Sequence, residues 1–238
     1  MNLRTLETRI IRKAFRNFFY PNLQNFEEIG NIYIDIYKIY KAIFNYDNKF
    51  KSLKLEYKKI ADLIKKRYKE VNLNYPLNFA VENESGFLIY CIIRTIKPLH
   101  VVETGVANGH SSFIILKAME RNNLGKLFSI DISNNVGGLL TQNMKNRWEL
   151  IVTQPKKAKF REVFKNLPKT DVFLHDSNHS FSWQKFEYKL FLSRLSKGGF
   201  ILSDDINDSY AFYDFIKEKN KRAYILYDYR KFFGITRL

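Results

Sequence analysis

The sequence predicts an α/β fold in which a doubly wound, mostly parallel sheet follows a helical N-terminal extension. Three observations support this. From residue 100 onward, short apolar, β-prone runs alternate with longer amphipathic stretches, as in strand–helix units. Over residues 1–70, apolar side chains recur every three or four positions among many basic ones, which is typical of amphipathic helices. The last two strand-like runs are separated only by residues 228–231, which predicts a closing antiparallel hairpin.

The extension contains three helical runs in this interpretation. The first begins near Leu3 and ends before Pro21, because proline cannot continue a helix. The second and third cover residues 26–50 and 53–68. Residues 72–78 are a predicted linker, so the chain divides into an extension of residues 1–78 and a second unit of residues 79–238.

The second unit opens with a predicted helix over residues 84–96 and continues as alternating strands and helices. Predicted strands cover residues 100–104, 126–131, 148–153, 171–175, 199–203, 222–227 and 232–237. Predicted helices cover residues 111–121, 138–145, 158–166, 182–195 and 209–219.

Composition narrows the class of protein. Hydrophobic residues make up 45% of the 238, enough to bury a sizeable core. Cys91 is the single cysteine, which excludes an intrachain disulfide and a cysteine metal cluster and fits a reducing compartment. No apolar run reaches the roughly 20 residues of a membrane span, and charges interrupt the N-terminus too often for a signal peptide. We therefore expect a cytoplasmic protein without a transmembrane segment.

The net charge of +16 leaves two interpretations open. A strongly basic chain can bind a polyanion such as nucleic acid. The basic residues are, however, spread through both halves without a dense patch, and solvated surface lysines explain the same charge. The second interpretation is slightly favoured.

A glycine-containing turn after the strand at residues 100–104 is the first candidate binding element. In the sequence VVETGVANGHSS, Gly105 lets the chain turn sharply, and Gly109 lets the backbone approach a ligand. In open α/β sheets, ligands bind at the carboxyl ends of strands. Taken alone, the turn is equally well explained as a structural strand–helix connection.

Asp131 strengthens the binding interpretation. It ends the next strand, 22 residues beyond Gly109, where a carboxylate can accept hydrogen bonds from both hydroxyls of a ribose. The alternative is a turn or helix-capping aspartate.

Three further aspartates follow later strands at the same edge. Asp176 lies in FLHDSNHS, and Asp204 and Asp205 lie in FILSDD. Adjacent carboxylates repel each other, and a divalent cation with oxygen ligands would relieve that repulsion. Magnesium is the predicted ion, because the cluster offers only oxygen donors. Equally open is an arrangement in which Asp204 caps the following helix and Asp205 is solvated.

His179 is the candidate general base, because it follows the Asp176 loop and because imidazole can take a proton near neutral pH. A histidine held in a hydrogen-bonded turn is the competing interpretation.

Together, ETGVANGHSS, SIDIS, RWEL, FLHDSNHSF and LSKGGFILSDD make residues 84–238 resemble the class I S-adenosylmethionine-dependent methyltransferases, in particular their sugar and macrolide-sugar O-methyltransferases. The resemblance implies a Rossmann-like, seven-stranded sheet whose last strand is antiparallel. It implies S-adenosylmethionine binding by Glu103, Gly105, Asn108, Gly109, Ser111 and Asp131. It also implies magnesium at Asp176, Asp204 and Asp205, as in the metal-dependent relatives, so that Asp176 and His179 would serve catalysis.

The predicted function is therefore methylation of a hydroxyl on a small molecule or glycan. The competing hypotheses are a basic nucleic-acid-binding protein and a nucleic-acid methyltransferase. The resemblance does not reach residues 1–70. Their dense aromatic faces would be a solubility liability if exposed, so we expect them to cover the substrate side or to form the contact of a homodimer.

Overall fold

The computed structural model describes residues 23–45, 48–229 and 231–238. The predicted first helix, near residues 3–19, lies outside these ranges. The described helices are α1 (Leu23–Ile29), α2 (Ile36–Phe44), α3 (Phe50–Glu70), α4 (Asn83–Ile96), α5 (His110–Asn122), α6 (Lys157–Lys165), α7 (Phe181–Leu192) and α8 (Ala211–Glu218). The strands are β1 (Gly30–Tyr33), β2 (His100–Thr104), β3 (Lys126–Asp131), β4 (Trp148–Val152), β5 (Thr170–His175), β6 (Leu195–Ser203), β7 (Ala223–Asp228) and β8 (Lys231–Arg237).

The strands of the described part of the chain form one sheet in the order β1-β7-β8-β6-β5-β2-β3-β4. Every pairing is parallel except those of β8, which runs antiparallel to both β6 and β7. The doubly wound sheet and its antiparallel closing strand are therefore confirmed. Because β8 runs the opposite way, its first residue lies at the edge where the parallel strands end.

The sheet has eight strands where seven were predicted, and the additional one comes from the extension. β1 interrupts the helix predicted over residues 26–50 and pairs in parallel with β7, with Gly30 opposite Ala223. Local periodicity predicts a helix here, but the partner strand lies about 190 positions further along the chain, and tertiary pairing overrides the local preference. The helix predicted over residues 138–145 is also absent; a short 3₁₀ segment, Gln142–Arg147, precedes β4.

The core lies on both faces of the sheet. Alternate residues of the central strands point to opposite faces: Val101 packs with α2 to α5, and Val102 packs with α1 and α6 to α8. On the second face, the ring of Phe173 stacks on that of Phe191, with centroids 3.7 Å apart. The extension is thus part of the main core, since Tyr57 and Ile60 of α3 share the first cluster with α4.

None of the helices described is long and apolar enough to cross a membrane.

The close approach of β1 and β7 makes Gly30 a test of the eighth strand. A Cβ atom at position 30 would lie 2.0 Å from the carbonyl oxygen of Ala223, which is a backbone atom and cannot rotate away. Gly30→Ala should therefore lower the free energy of unfolding by about 1–3 kcal/mol, the range of other overpacking substitutions. Urea denaturation measures the change.

Gly138→Ala is the matched control, because a Cβ atom there meets only the carbonyl oxygen of Asn72, at 3.8 Å. If both variants were as stable as the wild type, β1 would not pair with β7 as described.

Candidate active site

The carboxyl ends of β2, β3, β5 and β6 surround a single cavity of about 680 Å³. It extends from the glycine-containing turn to the aspartates that follow β5 and β6. The predicted site residues among its lining are Gly105, Asn108, Ser111, Asp131, Asp176, His179 and Asp205. Glu103, Gly109 and Asp204 are not in contact with it.

Gly105 brings the two halves of the cavity together. Its φ of +82° is in the left-handed region, and a Cβ atom would lie 1.9 Å from the carbonyl oxygen of Asp176. The Asp176 amide in turn donates to the carbonyl of Thr104 at 2.9 Å. Only glycine permits this contact, so the loops after β2 and β5 lie side by side. Gly109, with a φ of +87°, precedes α5 and packs against Gly137 in the same way.

Glu103 lies behind the cavity wall and binds serine side chains on α5 and β3. It is fully buried, and its carboxylate accepts hydrogen bonds from the hydroxyls of Ser111 (3.1 Å), Ser129 (2.6 Å) and Ser112. Burial raises the pKa of Glu103 to about 7, although these hydroxyls oppose the rise. The structure therefore gives Glu103 a positioning role beneath the cavity wall. The Ser111 hydroxyl is engaged in the same contact.

Asn108 uses its side chain to hold the extension in place. Its amide nitrogen donates to the carbonyl of Tyr75 at 2.8 Å, and its amide oxygen accepts from the Tyr75 backbone at 3.2 Å. The segment around Tyr75 consequently forms one wall of the cavity, together with Tyr68, Asn78 and Phe79. That the extension covers a bound substrate or forms a dimer contact stays a prediction.

Asp131 lines the other part of the cavity, and its carboxylate is held by two loop amides. One carboxylate oxygen accepts from the Val106 amide at 2.9 Å and the other from the Ser133 amide at 3.0 Å. A carboxylate has about four acceptor positions, so each oxygen retains capacity for a further donor from the cavity. Apolar Ile132 and Pro155 line the cavity near Asp131.

At the other end of the cavity, the described residues do not form the predicted three-aspartate metal site. No group of three His, Cys, Asp or Glu side chains in the described ranges is arranged to hold a metal ion. A lysine side chain is placed among the aspartates instead: Lys231 Nζ lies 3.1 Å from Asp204 Oδ2 and 2.9 Å from Asp205 Oδ2. The repulsion that motivated a magnesium ion is thus relieved by an ammonium group from β8.

Buried charge shifts the pKa values of these groups. Burial and then the charge of Asp204 raise the pKa of Asp176 well above its usual value, and Lys231 opposes this. Burial and then Asp205 raise the pKa of Asp204 to about 6. Burial alone would lower the pKa of the Lys231 ammonium. The attraction of the Asp204 and Asp205 carboxylates is larger than this effect, so the pKa is raised. The lysine is therefore charged throughout the physiological range.

His179 lies in the cavity beside these acids. Its Nε2 atom is 3.7 Å from Asp205 Oδ2 and 4.0 Å from Asp176 Oδ1, near enough for electrostatic attraction but too far for a hydrogen bond. Its Nδ1 atom is buried without a hydrogen-bond partner among the described residues. Burial and then the neighbouring His175 lower the pKa of His179 to about 4, so the ring is neutral at pH 7.

Several of the residues that line the cavity were not predicted from the sequence, and Glu187 and Lys231 are the two of these with the most buried charge contacts. The buried Glu187 carboxylate accepts from Thr104 (2.7 Å), Trp183 (2.6 Å) and Ser177 (3.0 Å), and lies 2.6 Å from His175 Nδ1. The spacing of Trp183 and Glu187, four residues apart on α7, is the one local sign of this contact. Lys231 gives no comparable sign, because its partners are 26 and 27 residues away.

Comparison with known proteins agrees with this geometry. Residues 102–206 match the family model described as a methyltransferase domain. No curated protein matches the chain.

Three solved structures are similar in fold. They are an O-methyltransferase from Bacillus cereus in complex with S-adenosylhomocysteine (12% identity, 85% of this chain and 97% of that chain, TM-score 0.56), a methyltransferase from Geobacter sulfurreducens (17%, 75% and 89%, 0.56) and an S-adenosylhomocysteine-bound methyltransferase from Podospora anserina (14%, 75% and 87%, 0.53). These structures show that the chain has the fold of known methyltransferases. Residues 102–206, which carry most of the carboxyl-end loops around the cavity, match a methyltransferase domain.

Proposed function

We propose that this protein is an S-adenosylmethionine-dependent methyltransferase, and that it transfers the methyl group of S-adenosylmethionine to a hydroxyl of an uncharged small molecule or glycan. The observation that carries the proposal is the cavity, which joins the Asp131 end to the His179 end without a wall between them. A donor and an acceptor bound at the two ends can meet inside it.

The charge of the cavity supports an uncharged acceptor. Its acidic lining residues are Asp131, Asp176, Glu187, Asp205 and Asp208, whereas Lys231 is its one lysine or arginine among the described residues. Phosphate groups would be repelled by this lining. The net charge of +16 lies elsewhere, for example on the exposed lysines of α3. Binding of a nucleic-acid backbone inside the cavity is therefore disfavoured, although binding to the outer surface stays a separate hypothesis.

The donor would occupy the Asp131 end. When bound, S-adenosylmethionine supplies a methyl group already activated by its sulfonium centre. Asp131 is positioned to accept the ribose hydroxyls, and Ile132 and Pro155 offer apolar surface for the adenine. The backbone of the Gly105 turn lets the remainder of the molecule approach the loop after β5. These residues orient the donor, and alignment of donor with acceptor is the main source of rate in such a displacement.

His179 would hold the acceptor proton. A neutral imidazole offers a lone pair to a hydroxyl in the cavity, and the nearby Asp176 and Asp205 carboxylates stabilise the imidazolium once the proton has moved. The aromatic side chains of Tyr68, Tyr75 and Phe79, which also line the cavity, would exclude water from the acceptor. The cytoplasmic location and the homodimer stay predictions.

Asp131→Asn tests the donor end. Asparagine has one acceptor oxygen instead of two and carries no charge, so it can keep only one of the two loop-amide contacts. S-adenosylmethionine should bind about 1–3 kcal/mol more weakly, because charge-assisted hydrogen bonds to the ribose are lost. Titration calorimetry measures the affinity. An unchanged dissociation constant would remove Asp131 from the donor site.

His179→Gln tests the acceptor end. Once a screen of glycans and hydroxylated small molecules has identified an acceptor, kcat should fall by about 10²–10⁴-fold, the usual contribution of a general base, while the affinity for S-adenosylmethionine stays near that of the wild type.

His100→Gln is the matched control, because His100 lies at the opposite edge of the sheet, where its imidazole hydrogen-bonds to the Lys169 carbonyl and packs against the Phe128 ring. It should keep wild-type turnover. Full activity in His179→Gln would show that another group takes the proton.

A further inference from the structure

The antiparallel last strand delivers a cation to the centre of the acidic edge. β8 pairs with β6 so that Gly234 lies opposite Ser203, which places Lys231 just beyond the end of β6, beside Asp204 and Asp205. The Lys231 side chain is only 8% exposed. A lysine buried to this degree is stable only when it is paired.

The pairing is specific. Lys231 Nζ donates to Oδ2 of Asp204 and to Oδ2 of Asp205, so one ammonium bridges the two adjacent carboxylates. An ammonium has three donors. Because Lys231 also lines the cavity, its third donor can reach an oxygen atom of a bound molecule.

A divalent ion at the same place would have to displace the lysine. Magnesium binds carboxylate oxygens at about 2.0–2.1 Å, and the Oδ2 atoms of Asp204 and Asp205 already contact Nζ. A dication so close to an ammonium would also be strongly repelled. The donor set of this chain therefore does not fit the predicted magnesium site.

We propose that Lys231 is the resident cation of the active site, that it takes the place of a divalent metal between Asp204 and Asp205, and that its remaining donor binds the oxygen of the acceptor. Only the binding of the acceptor oxygen depends on the proposed function. That Lys231 occupies the cation position is inferred from its contacts with Asp204 and Asp205 alone.

Mn²⁺ binding should differ between the wild type and a variant that lacks the Lys231 ammonium. The wild type should bind no Mn²⁺ at this position, because its cation is covalently attached. Lys231→Met nearly keeps the length of the side chain but removes the charge, leaving the buried Asp204 and the partly buried Asp205 without a cation. This variant should acquire a Mn²⁺ site with at least tenfold higher affinity than the wild type, and Mn²⁺ should raise its Tm.

The experiment is a Mn²⁺ titration of the protein without cofactor or acceptor, followed by electron paramagnetic resonance and by thermal unfolding. Lys126→Met is the matched control, because Lys126 pairs with Glu149 at the opposite edge of the sheet, where both side chains are nearly half exposed. It should behave like the wild type. Lys231→Arg retains a positive charge and should likewise bind no Mn²⁺.

Two results would overturn the proposal. One is a wild-type Mn²⁺ site that is lost in Asp205→Asn, and the other is a Lys231→Met variant that gains no Mn²⁺ affinity. If Lys231→Met does not fold in chelator, its refolding yield is compared with and without Mg²⁺; rescue by Mg²⁺ supports the proposal and its absence contradicts it. These readouts involve no methyl transfer, so they remain decisive even if the proposed acceptor chemistry is wrong.

The role toward the acceptor is tested in the turnover assay. Wild-type kcat should be unchanged in EDTA, and Lys231→Met should lose at least tenfold in kcat/KM while Lys126→Met does not. Loss of wild-type turnover in EDTA that added Mg²⁺ restores would contradict it.

Discussion

The contact between Gly105 and the Asp176 carbonyl holds the two ends of the active site together. Gly105 follows β2, which leads to the donor end, and Asp176 follows β5, which leads to the acids and His179. The Asp176 amide also donates to Thr104, so the two loops are joined by backbone hydrogen bonding as well as by close packing. Any side chain at position 105 would separate them. In the proposed function, the distance between a bound donor and a bound acceptor therefore depends on a glycine with a positive φ.

Buried negative charge is the second constraint on this edge of the sheet. Asp204 and Glu187 are buried, and Asp176 is largely so. The structure balances these charges in different ways. Glu187 is surrounded by hydroxyl and indole donors and by His175, whereas Asp204 and Asp205 share the ammonium of Lys231. The Lys231 contact depends on the antiparallel direction of the last strand, since only then does a residue at the start of a strand reach this edge.

Much of this arrangement is visible in the sequence because the signals are local. The alternation of strands and helices predicts the sheet, and the positions of Gly105 and Asp131 relative to their strands predict the donor site. The exceptions depend on contacts between distant residues. β1 forms because residues 30–33 pair with β7, with Gly30 opposite Ala223. The local pattern of residues 26–50 does not predict this strand. Asn108 resembles a ligand in sequence, yet its amide holds Tyr75.

The metal prediction illustrates the same limit. Adjacent aspartates at a strand end indicate an unmet need for positive charge, and the sequence pattern correctly places them together at one edge. The sequence pattern does not identify the residue that supplies the positive charge, because Lys231 lies 26 residues beyond Asp205 and reaches it only through the pairing of β8 with β6.

Glu103 is a related case. In sequence it is a carboxylate at the end of a strand, but in the structure it is buried and hydrogen-bonded to three serine hydroxyls.

The most direct test of the account is a crystal structure of the protein with S-adenosylhomocysteine. We expect the ribose hydroxyls within hydrogen-bonding distance of Asp131, the sulfur atom in the cavity on the side of His179, and Lys231 Nζ still between Asp204 and Asp205. A ligand bound outside this cavity, or with its ribose away from Asp131, would contradict the assignment of the active site.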